Sequence, residues 1–201
     1  NGDHSGANGY VNSRYTIPVA ALTQAGTYSD YSEQGSALIV SAPADPITTT
    51  DRMGGFGYSA TNCTDTFNGT SAASPVVSGV VAMMLQANSN LTWRDVQAIL
   101  ILTAQRNDPL DEDWTQNGRG LWINHNYGFG MVDAERAVGA AVGWPLLGPE
   151  FSFETPFITG GPIPDMGTLT KTFGFGFHMN IESVVVRVRG THSYRGDLEF
   201  C

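Results

Sequence analysis

The sequence predicts an α/β domain with a parallel sheet, followed by the opening strands of an all-β unit. Three observations carry that prediction. Between residues 1 and 145, short β-branched runs alternate with helical patterns, the arrangement of a parallel sheet flanked by helices. Beyond Trp144-Pro145, Pro and Gly are dense through Pro164, as in a linker and first turns. Period-two alternation then takes over. Phe173, Phe175 and Phe177 are spaced by Gly174 and Gly176, and Val184, Val186 and Val188 are spaced by Val185 and Arg187. That is the pattern of antiparallel strands with one buried face. The expected units are 1–145 and 150–201. The chain starts at Asn1 without Met and ends at Cys201, directly after the strand-like Asp197-Leu198-Glu199-Phe200, so both units are expected to be incomplete.

Each element has its own signal. Tyr15-Thr16-Ile17-Pro18-Val19 and Leu38-Ile39-Val40 are short runs bounded by Gly, Ser and Pro, and read as buried parallel strands. From Ser71 to about Ala87 the chain is small and apolar on nearly all faces, which predicts a central, buried helix. Thr92-Trp93-Arg94-Asp95 fits a capping box, with Val96, Ile99, Leu100 and Thr103 following at helical spacing. A third helix is expected from the N-cap Asp133, with Ala137, Val138, Ala141 and Val142 on one face. Residues 106–126 read as a long polar loop. Its acids Asp108, Asp111, Glu112 and Asp113 lack EF-hand spacing and are expected to be solvated.

Composition excludes several functions. Ten Lys plus Arg against 19 Asp plus Glu leave a formal charge of −9, where a nucleic-acid binder would carry a basic patch. Charged residues at 14% and hydrophobic residues at 41% argue against disorder. The longest mostly apolar stretch, 76–85, is interrupted by Ser78 and Gly79, so no membrane-spanning segment is expected.

The sharpest local signal is Asn68-Gly69-Thr70-Ser71-Ala72-Ala73-Ser74-Pro75. Ser71 stands at a loop-to-helix junction, at the positive end of the helix dipole. Gly69 permits a tight backbone approach, and Pro75 is expected in the first turn, where its missing N–H costs little. A hydroxyl presented this way can act as a nucleophile, with nearby amides to bind an oxyanion. An ordinary Ser/Thr helix cap is the alternative reading of the same residues.

Gly69-Thr70-Ser71-x-x-x-Pro75 is similar to the nucleophile motif of the subtilisin-like serine proteases. Asn90-Leu91-Thr92-Trp93-Arg94-Asp95-Val96-Gln97 resembles the segment after the serine helix in the kexin/furin branch. The same branch resembles Trp114-Thr115-Gln116-Asn117-Gly118-Arg119-Gly120 and 125–134. Tyr194-Arg195-Gly196-Asp197-Leu198 resembles a strand of the P domain, the β-sandwich that follows the kexin-type catalytic domain. The resemblance implies a secreted, extracellular or periplasmic endopeptidase that cleaves peptide or protein substrates after basic residues through an acyl-enzyme. Ser71 is then the nucleophile, and Asn1 the side-chain donor of the oxyanion hole.

The family's chain order, Asp, His, oxyanion Asn, Ser, places the catalytic base and its carboxylate before Asn1. They are therefore expected from a missing N-terminal half of the peptidase domain. His4, His125, His178 and His192 are not expected to replace them, and His125 reads as a structural hydrogen-bonding residue. Asn8 stands where kexin and furin carry an aspartate lining the pocket for arginine, and Asn68 adjoins the nucleophile as a further substrate contact. An amide cannot make the charge-assisted pair that fixes a guanidinium, so the basic preference is expected to weaken. Asp3 and Glu33 match carboxylates that hold calcium in the family, with a solvated surface pair as the alternative. Cys63 matches a cysteine bridged to one upstream of Asn1. Pairing of Cys63 with Cys201 is the other possibility. A non-catalytic pseudo-protease or P-domain binding module is the competing function.

Overall fold

The computed structural model describes residues 4–164, 166–174, 176 and 181–193. The chain divides into two units, Asn1–Pro149 and Glu150–Cys201.

In the first unit, β1 (Val19–Thr23) and β2 (Val40–Asp45) pair in parallel, with Val19 opposite Val40 and Leu22 opposite Pro43. Both strands start later than the sequence predicts. The segment Tyr15-Thr16-Ile17, with its β-branched Thr and Ile, is spent on a turn instead. There Thr16 Oγ1 lies within hydrogen-bond reach of the carbonyls of Tyr10, Val11 and Ser13, and Gln97 Nε2 donates to the carbonyls of Arg14 and Thr16. The ladder takes small residues, with Ala20, Ala21, Ala42 and Ala44 fully buried. A strand covered on both faces is selected by fit more than by β-propensity. Along the other edge of β2, Phe129 N–H donates to Ile39 O, Ser41 N–H to Gly130 O and Val132 N–H to Ser41 O, each at 2.9 Å. Gly130 has φ 121°, and a Cβ on it would lie 2.3 Å from the Gln105 carbonyl oxygen. Only glycine fits that approach.

An antiparallel hairpin unmarked in the sequence follows: β3 (Ile47–Thr50) and β4 (Cys63–Phe67). It leads into α1 (Thr70–Ala87), α2 (Trp93–Thr103) and α3 (Ala134–Val142). The expected polar loop contains a short hairpin, β5 (Thr115–Gln116) and β6 (Trp122–Ile123). Helix α1 packs on β1, β2 and α3, and α2 packs on α3. Their shared core includes Val40, Val77, Met84, Ile99 and Leu100.

The capping box of α2 forms as expected: Thr92 accepts from Asp95 N–H, and the Asp95 carboxylate accepts from Thr92 N–H. Val96, Ile99, Leu100 and Thr103 are all buried. Two expectations need correction. Helix α1 is central, but only five of its 18 residues are buried, namely Ala72, Ala73, Val77, Val80 and Met84. The sheet and α3 cover it from one side, so its remaining apolar surface stays open among the described residues. By length and composition α1 could cross a membrane, but its buried face belongs to the core. On α3, Ala137 and Ala141 are buried while Val142 is exposed.

The second unit departs further from expectation. Among its described residues there is no strand and no helix, and Phe173, Val184, Val185, Val186 and Val188 are all exposed. A strand holds its alternating apolar face only when a partner sheet covers that face. No such partner is present among the described residues. Phe175, Phe177 and the 197–200 segment lie outside the described residues.

Candidate active site

Ser71 is the second residue of α1 and is exposed. The helix has no side-chain cap; its N-cap is Gly69, with φ 100° and ψ 167°. That conformation is open essentially to glycine alone. A side chain at 69 would therefore strain the turn that aims Ser71. The Gly69 N–H donates to the Tyr31 hydroxyl at 3.2 Å, and the Gly69 carbonyl accepts from Ala72 N–H at 2.8 Å. The loop carrying Glu33 thus braces the residue two before the serine. The first-turn N–H groups of α1 concentrate positive potential around the hydroxyl. No acidic residue occupies that turn to cancel it.

Pro75 corrects the sequence reading. It is the sixth residue of α1, inside the helix, not in its first turn. It has no N–H to give the Ser71 carbonyl, so the helix is weakened right behind the hydroxyl.

The described histidines are committed elsewhere. His4 Nδ1 accepts from Gly6 N–H at 3.1 Å. His125 Nδ1 lies 3.0 and 2.9 Å from the two Asp113 carboxylate oxygens, and the His125 N–H also donates to Asp113. The His125 carbonyl accepts from Gly35 N–H at 2.8 Å. Both backbone groups and the ring are thus used to hold a loop. His192 belongs to the second unit, and His178 lies outside the described residues.

The acidic loop is bonded where the sequence suggested only solvation. Asp108 accepts from the Tyr127 hydroxyl, Asp111 from Asn124 Nδ2 and Asp113 N–H, and Asp113 from His125; only Glu112 is exposed. Tyr127 is 1% exposed and stacks on Trp114, with ring centroids 5.7 Å apart. Burial pushes its phenol up to about 12, assisted by the carboxylates of Asp108 and Asp111. Burial also raises the Tyr28 phenol, and the charges of Asp30 and Glu33 add to it.

Asn1 and Asp3 lie outside the described residues. Asn8 is exposed, and its Oδ1 accepts from Tyr10 N–H at 3.0 Å and Val11 N–H at 3.3 Å. Its amide oxygen therefore builds the turn, leaving the NH₂ as the group free to face a ligand. Asn68 is exposed and Glu33 half-buried. Among the described residues no three His, Cys, Asp or Glu side chains gather as a metal set. A calcium ion takes six to eight oxygens, so these residues alone do not fit one. Cys63 is exposed and free, and Cys201 lies outside the described residues. The bracing tyrosines, Tyr31 against Gly69 and Tyr127 against the Tyr28 N–H, were missed in the sequence. They act across 38 and 99 positions respectively, and no local pattern marks such contacts.

The model of the subtilase family of peptidases matches residues 2–130. The chain is 34% identical over 98% of its length to proprotein convertase subtilisin/kexin type 5 of Rattus norvegicus, covering 11% of that protein. It is 31% identical over 98% of its length to furin of Homo sapiens, covering 25% of it. The chain thus spans between a tenth and a quarter of these relatives. A solved serine protease of Aeromonas sobria superposes with a TM-score of 0.62 at 28% identity, covering 65% of this chain and 30% of that one.

Proposed function

This chain belongs to the subtilase family, and from that premise we propose that it carries the nucleophile of a secreted serine endopeptidase of the kexin/furin type. Ser71 Oγ attacks the scissile carbonyl of a peptide or protein substrate. The developing oxyanion is received by the Asn1 side-chain amide and the Ser71 N–H. In subtilisin, loss of one such side-chain donor costs about 10²–10³ in turnover. The base that takes the Ser71 proton, with the carboxylate that orients it, comes from the part of the peptidase domain that precedes Asn1. The observation that carries this reading is Ser71 itself, exposed in the first turn of α1 behind a glycine in a glycine-only conformation.

In the same reading, Asn8 and Asn68 contact substrate. The free Asn8 NH₂ suits a neutral acceptor better than a guanidinium, which lowers the preference for arginine. Calcium with Asp3 and Glu33 as two among its six to eight ligands, a bridge from Cys63 to an upstream cysteine, and the first part of a P domain over 150–201 complete the reading. The protein expressed with its native flanking sequence is expected to cleave peptides, with Ser71→Ala lowering kcat/KM at least about 10⁴-fold. The 201-residue chain alone is expected to turn over nothing. Cleavage that survives Ser71→Ala refutes the assignment.

A further inference from the structure

Residues 51–62 join β3 to β4 and form a twelve-residue connection, where hairpins commonly need two to five. It is a built loop. The Asp51 carboxylate accepts from Arg52 N–H and Ser59 N–H, both at 2.7 Å. Gly57 packs so close that a Cβ there would meet Asp51 Oδ2 at 2.5 Å. The Arg52 guanidinium lies over the Phe56 ring at 5.5 Å. Yet the loop presents Met53, Phe56 and Tyr58 at 75%, 82% and 80% exposure. Holding large apolar side chains in water on an ordered loop is unfavourable unless something covers them.

The position of the loop points to the occupant. The Tyr58 ring meets Phe67 edge-on, with centroids 6.2 Å apart, and Phe67 is only four residues before Ser71. Four residues span at most about 14 Å, and an extended peptide advances about 3.3 Å per residue. A substrate strand on Ser71 therefore reaches this surface within about four residues of the scissile bond. The loop's two charges, Asp51 and Arg52, cancel, so it attracts an apolar segment without selecting charge. From these contacts we infer that Tyr58 and Phe67, on the loop that also exposes Phe56 and Met53, form an apolar subsite that selects substrates with an aromatic or large aliphatic residue two to four positions from the cleaved bond. The inference rests on Ser71 being the nucleophile.

The test uses the protein with its native flanking sequence and a peptide library. The residues adjoining the cleaved bond are fixed, and each of the next three positions on either side is varied among Phe, Leu, Ser and Asp. One position is expected to favour Phe or Leu over Ser by at least about tenfold in kcat/KM. Tyr58→Ser is expected to reduce that ratio below threefold, and Tyr58→Phe to keep it. Asp51→Ala, which releases the loop without removing an apolar group, is expected to lower it too. The ratio is internal to each variant, so a general loss of activity does not mimic the effect. An active enzyme with no apolar preference, or one unmoved by Tyr58→Ser, overturns the inference and leaves the peptidase reading intact. An inactive protein overturns that reading instead. Co-sedimentation with phosphatidylcholine/phosphatidylglycerol vesicles that Tyr58→Ser abolishes, alongside an unchanged library profile, assigns the loop to a lipid surface and also overturns it.

Discussion

Replacing Asp95 with alanine removes the carboxylate that four donors share. The Asp95 carboxylate is fully buried. Its Oδ2 takes Thr92 N–H at 2.8 Å and Thr92 Oγ1–H at 2.6 Å. Its Oδ1 takes Trp144 Nε1–H at 2.9 Å and Leu147 N–H at 2.8 Å. The Thr92 groups sit at an exposed helix start where water can replace the acceptor, so that half costs about 1 kcal/mol, as for a lost cap. The Trp144 and Leu147 donors are half-buried, and each costs about 1–3 kcal/mol when left unmade. The four bonds share one anion and do not add fully. The expected loss is about 3–5 kcal/mol, a large share of the roughly 5–15 kcal/mol that holds a domain. Urea denaturation of wild type and Asp95→Ala, compared at unchanged m-value, measures it. A loss below 1 kcal/mol refutes the role of Asp95 as the shared acceptor of these four bonds.

Other consequences follow from the same contacts. Burial alone would raise the Asp95 carboxyl, but the hydrogen bonds from Thr92, Leu147 and Trp144 outweigh it and hold it below the ordinary 3.8. Its contribution is therefore full above about pH 4 and fades as pH falls further; an Asp95→Asn variant is expected to flatten the acid limb of the stability profile. The Tyr127 phenol, raised from 10.0 to about 12, contributes below pH 10 and loses its contribution as pH climbs toward 12. Tyr127→Phe is expected to remove that alkaline limb in a thermal-melt series. Gly130→Ala would place its Cβ against the Gln105 backbone at 2.3 Å and is expected to cost about 2–4 kcal/mol by denaturation. Asn8→Asp keeps the acceptor for Tyr10 and Val11 N–H and adds a charge. In the full-length enzyme it is expected to raise kcat/KM for arginine over a neutral residue before the cleaved bond at least tenfold.

What was legible in the sequence was local. The Thr92–Asp95 box, the Asp133 cap and the apolar spacing from Val96 to Thr103 each involve residues three or four apart, and all three stand as read. The Gly69-Thr70-Ser71 junction was legible for the same reason. Contacts set by distant chain segments were not. The β-branched run at 15–19 pointed to a strand, but side chains from Gln97 and Thr16 draw it into a turn, and the ladder begins at Val19. The β3–β4 hairpin carries mostly threonines with no apolar alternation, so no pattern announced it. Asp95 was legible as a cap but not as the anchor of Trp144, 49 positions away. The valines of 184–188 alternate as a strand does, but alternation states a preference that only a partner sheet can satisfy.

The claim at the centre is that Ser71 is an activated nucleophile. A fluorophosphonate probe applied to the protein with its native flanking sequence, followed by peptide mass mapping, tests it directly. A single phosphonyl adduct on the peptide containing Ser71, absent in Ser71→Ala, is the expected result. An unlabelled Ser71 in folded protein, or an adduct on another serine that persists in Ser71→Ala, contradicts it.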